Sequence, residues 1–107
     1  LLTASTAYAG EELMLRATNS AGTVVTVTDV QCVNRVVIGK IAQFNTLLVS
    51  NGMPSVDPNQ SRKATVVYQG ETHDACWIGI ADVVGVFTEE LVPFAVPASA
   101  FEKVEAI

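Results

Sequence analysis

The sequence predicts an α+β fold: a mostly antiparallel sheet of about five or six strands, one helix packed on it, and one disulfide as a staple. Three observations predict it. Apolar and polar residues alternate through most of the chain, one segment switches to a helical period, and Cys32 and Cys76 form the one available cysteine pair. With 107 residues, 50% of them hydrophobic, the chain can close one modest core but not two.

Residues 1–9 carry no charge and end in Ala7-Tyr8-Ala9, directly before Gly10-Glu11-Glu12. A small-x-small triplet followed by acidic residues is what a secretory cleavage site presents. This segment reads as the tail of a signal peptide or, if retained, as an N-terminal arm. Residues 10–107 then form a single disulfide-stapled domain, periplasmic or secreted.

From Glu12, Leu13, Leu15 and Ala17 alternate with Met14, Arg16 and Thr18, and Asn19-Ser20-Ala21-Gly22 supplies turn residues before a second run, Thr23 to Cys32. That is a β-hairpin pattern. Strict period two puts Val24, Thr26, Thr28, Val30 and Cys32 on one face, expected to point inward unless a bulge intervenes. In residues 35–49 the period changes, because Val37, Ile41, Phe44 and Leu48 fall at steps of four, three and four. The spacing predicts a helix, with Asn34 as N-cap and Asn51-Gly52 as stop. The β-branched run at 36–38 and Gly39 leave strand open as an alternative for residues 35–42. Gly52, Pro54 and Pro58 make Asn51 to Ser61 a loop.

The rest reads as antiparallel strands. Lys63 to Gln69 alternates, Gly70-Glu71-Thr72 turns, and His73 to Ala81 returns with Asp74, Cys76, Ile78 and Ile80 on one face and Ala75, Trp77 and Gly79 on the other. A strand near Val83 to Phe87, a turn at Glu89-Glu90 and a strand from Leu91 to Val96 follow. Pro93 has no N–H for a ladder and places that last strand at an edge. Pro97 to Phe101 reads as a helical turn that lays Phe101 on the core.

Composition narrows function. Six basic residues stand against eleven acidic ones, a net charge of −5, and no basic cluster exceeds Arg62-Lys63, so nucleic acid is not an expected partner. No apolar run reaches the roughly 18 residues of a membrane span. A disulfide between Cys32 and Cys76 suits an exported chain and would destabilise the unfolded state by roughly 4 kcal/mol on the loop-entropy model. The rival reading, a reactive thiol at Cys76 three residues after His73, requires the pair to be adjacent in space and an oxyanion site as well. His73, Asp74, Glu71 and Asp82 form the densest polar group, yet neighbouring strand residues face opposite ways and cannot converge on one ion. His73 is expected at an exposed hairpin end without an obligatory partner. No catalytic residue, metal ligand set or cofactor site is expected, and the chain is read as not an enzyme. The candidate partner contacts are Glu71, Glu89 and Glu90 in turns, and Trp77 if its indole is exposed.

Cys32, the helix pattern, Gly70, Ala75-Cys76-Trp77 and the closing Pro97-Ala98-Ser99-Ala100-Phe101 together resemble a group of small exported proteins of Gram-negative bacteria and their phages. Those functionally uncharacterised proteins carry an early cysteine, a Gly/Ala-Cys-Trp triplet and a terminal Pro-x-x-x-Phe. The resemblance spans about residues 27–101 and implies export and the disulfide, with no catalytic residue to transfer. The expected function is a periplasmic protein-binding or inhibitory module, for which a cationic cell-envelope protein is a natural partner. The alternative is a phage or envelope assembly component that adds the N-terminal segment to a neighbour's sheet edge.

Overall fold

The structure, a computed structural model, describes residues 14–104, so the signal-peptide tail or arm expected at 1–9 lies outside the described residues. Strands β1 (Met14–Thr18) and β2 (Val24–Gln31) form the first hairpin, and helix α1 (Arg35–Ser50) follows. Then come β3 (Arg62–Tyr68), β4 (Glu71–Ile80), β5 (Val83–Thr88), β6 (Phe94–Pro97) and β7 (Glu102–Lys103). All seven strands join one antiparallel sheet in the order β6-β5-β4-β3-β2-β1-β7. Among the described residues, the α+β class and a single α-helix stand as expected. The described strands number seven rather than five or six, the added one being β7, whose two residues are too few to leave an alternation pattern.

The sheet is curled, and its connectivity demands it. Six strand spacings separate β6 from β7, about 29 Å across a flat sheet. Yet Pro97 and Glu102 are joined only by the short helical turn Ala98–Ala100 and Phe101, a reach of at most roughly 18 Å. Val25, Val27, Ala64, Val66, Ala75, Val84 and Val86 line the inside of the curl, with Leu15, Trp77, Phe94 and Phe101 packed against them. Phe101 thus lies on the core as the sequence predicts.

The helix covers the outer face. Val37, Ile41 and Leu48 are buried, and Phe44 meets Phe87 edge to face with ring centroids 5.3 Å apart. Beneath the helix lie Cys76, Ile78 and Phe87, on the face expected for Cys76 and Ile78. The disulfide Cys32–Cys76 pins the start of α1 to the middle of β4 across a separation of 44 residues. Residues 35–42 are helical because those buried contacts, and the Val37 N–H donating to Asn34 Oδ1 at 3.1 Å, outweigh the β-branched run.

Two details differ from the sequence reading. Val25 and Val27, not Val24 and Val30, line the interior, and Val30 is 43% exposed. The β2–β3 register shifts between Val27 and Gln31, and Cys32 packs on the helix side with Val37, Ile41 and Cys76. The second hairpin turn is tighter than expected: Gln69 and Gly70, with φ of 52° and 81°, make it alone, and Glu71 and Thr72 extend β4. Among the described residues, no helix is long and apolar enough to cross a membrane.

Candidate functional site

A cleft of about 660 Å³ opens at the end of the sheet where β4 begins and β5 ends, lined by Tyr68, Glu71, His73, Asp74, Glu89, Glu90 and Leu91 among others. Two acidic segments read separately from the sequence, Glu71 and Glu89-Glu90, meet here. The cause is the antiparallel pairing of β4 with β5, which sets Ala75 opposite Thr88 and brings the start of one strand to the end of the other.

Asn34 and Lys40 hold this end in place. The Asn34 side-chain N–H groups donate to Asp74 Oδ2 at 2.8 Å and Glu89 Oε2 at 3.0 Å, while its Oδ1 caps α1. One amide therefore bridges two carboxylates that would otherwise repel. The Lys40 ammonium donates to the Thr88 carbonyl at 2.8 Å and also to the Glu89 carbonyl. Buried Thr88 accepts the Leu91 N–H on its Oγ1 at 2.8 Å, closing the turn. The sequence flags Asn34 only as a helix cap and gives Lys40 and Thr88 no role. Their partners lie 40 or more residues away for Asn34 and Lys40, and no local pattern encodes such pairings.

His73 is the main correction. Its side chain is only 11% exposed, with Nδ1 at 3.1 Å from Glu90 Oε1 and Nε2 at 3.9 Å from Glu71 Oε1. The expected exposed, partnerless position fails because the ring is largely buried and the Glu90 carboxylate meets its Nδ1. His73 and Asp74 do point to opposite sides, as period two requires, Asp74 toward Asn34 and His73 toward Glu90. Among the described residues, no group of three or more His, Cys, Asp or Glu side chains is placed to hold a metal ion.

Trp77 does not join this cleft. It is half-buried against the interior cluster, its indole N–H donates to the Thr28 carbonyl at 2.8 Å, and it borders a separate cleft with Asp29 and Arg62. Comparison of the chain with protein-family models, with curated proteins and with solved structures gives no match. The site must therefore be read from its chemistry alone. A concave surface ringed by Glu71, Asp74, Glu89 and Glu90, with their backbones fixed by a sheet and a helix cap, concentrates negative potential where a cationic group can approach.

Proposed function

We propose that this protein is an exported, periplasmic protein-binding or inhibitory module, a binder rather than an enzyme, that receives a cationic segment of its partner at the acidic cleft. The observation that carries the reading is the convergence of Glu71 with Glu89 and Glu90 on one cleft, secured by Asn34 and Lys40. Export is supported by the small-x-small triplet at Ala7-Tyr8-Ala9, by the disulfide, and by the resemblance to small exported proteins of Gram-negative bacteria and their phages. The assembly reading is weaker. Edge strand β6 has four residues and is bracketed by Pro93 and Pro97, which leaves an added strand little ladder to pair with.

The test is affinity capture from periplasmic extract with the wild-type protein and the Glu89→Lys/Glu90→Lys variant as parallel baits, followed by mass spectrometry. A basic protein retained by the wild type, lost on the variant and released by salt supports the reading. Identical captures on both baits overturn it.

A further inference from the structure

On the opposite rim of the helix from the acidic cleft, α1 and strands β5 and β6 enclose a groove of about 450 Å³ walled by Phe44, Leu47, Met53, Phe87 and Phe94 among others. Among the described residues, Asn51 is the one lining residue with a polar side chain, and it is followed by Gly52. Asparagine before glycine is the pairing in which the following backbone nitrogen most easily reaches the side-chain amide, because glycine has no Cβ to obstruct it. In the native fold both reacting groups are engaged. Asn51 Nδ2 donates to the Leu47 carbonyl at 2.7 Å, and the Gly52 N–H donates to the Val49 carbonyl at 3.0 Å. Gly52 sits at φ 77°, the left-handed conformation that ends the helix.

We infer that Asn51–Gly52 is a latent deamidation site, guarded by the end of α1, whose conversion would place a charge in an otherwise uncharged groove. The chemistry is self-contained. The Gly52 nitrogen bonds to Asn51 Cγ and gives up its proton to water, the Cγ–Nδ2 bond breaks, and Nδ2 takes a proton from water and leaves as ammonia. Water then opens the five-membered imide at either carbonyl, leaving aspartate or isoaspartate at position 51. Neither product keeps the side-chain N–H that donates to the Leu47 carbonyl, and either puts a negative charge at a helix C-terminus that has no basic residue in its last turn. The product therefore loosens the structure that kept its precursor intact.

The experiment incubates the native protein and a reduced, alkylated, denaturant-unfolded sample at mildly alkaline pH, and follows each asparagine by peptide mass spectrometry. Conversion at Asn51 should be at least about tenfold slower in the native protein, the factor that a local opening cost of roughly 1.4 kcal/mol imposes. In the unfolded sample it should outpace conversion at Asn19, Asn34, Asn45 and Asn59. Equal rates in the two samples, or faster conversion at another asparagine, would overturn the proposal. An Asn51→Asp variant checks the consequence separately: hydrogen exchange at the Gly52 and Met53 amides should quicken several-fold, and unchanged exchange would remove the link to the helix end.

Discussion

The Asn34 side chain donates a 2.8 Å hydrogen bond to Asp74 Oδ2, across 40 residues of sequence. It thereby couples the first turn of α1 to the start of β4, and through its second N–H to Glu89 beyond β5. The cleft and the helix cap share one residue, so their stabilities are linked.

Asn34→Ala should destabilise the protein by about 0.5 to 2 kcal/mol, the range for a lost N-cap, and leave Asp74 and Glu89 facing each other without a shared donor. Asn34→Asp retains an acceptor for the Val37 N–H but adds a third carboxylate, and should recover less stability than a cap exchange on an isolated helix. Urea titrations of the two variants separate the cap from the carboxylate bridge.

His73→Ala should cost about 1 to 2 kcal/mol, because a nearly buried ring and its bond to Glu90 are both removed. An exposed residue would cost a few tenths. Hydrogen exchange should also show faster opening at Leu91, whose amide closes the turn that carries Glu90.

Replacing Cys32 and Cys76 together by serine should lower stability by roughly 4 kcal/mol, and thiol titration of the denatured, unreduced wild type should find no free thiol. Two free thiols in protein isolated from the periplasm would contradict the cross-link.

Charge reversal at Glu89 and Glu90 should slow association with a captured basic partner more than it speeds dissociation, and the wild-type association rate should fall as salt rises. Trp77→Phe should leave those rates unchanged while removing the bond to Thr28, since the indole lies outside the cleft. Stopped-flow or surface-based kinetics at two salt concentrations decide both points. A partner that binds equally fast at each, or is lost only with Trp77→Ala, would shift the contact to a hydrophobic anchor.

The helix was legible because its information is local: Val37, Ile41, Phe44 and Leu48 mark one face, and Asn34 stands where a cap must be. Period two places Cys76 and Trp77 on opposite faces, and they pack in different clusters. The inward face of β2 was misread because Val24 and Cys32 do share a parity while the curl, not the helix, buries Val25 and Val27. The cleft was legible only as two disconnected acidic segments. Its assembly depends on β4–β5 register and on the contact of Glu90 with His73, both set by pairings between residues distant in sequence.

The short link between β6 and β7 also bears on the order of events in folding. Residues 94–103 join the two edges of the sheet, so the hairpins and helix before them can pair while the apolar inner surface from Leu15 to Val86 still stands open. During synthesis that surface is the part of the chain most exposed to aggregation. A chain interrupted before Lys103 would keep most of its ladder and its disulfide but lack the clasp, and such a species would be the one that chaperones meet.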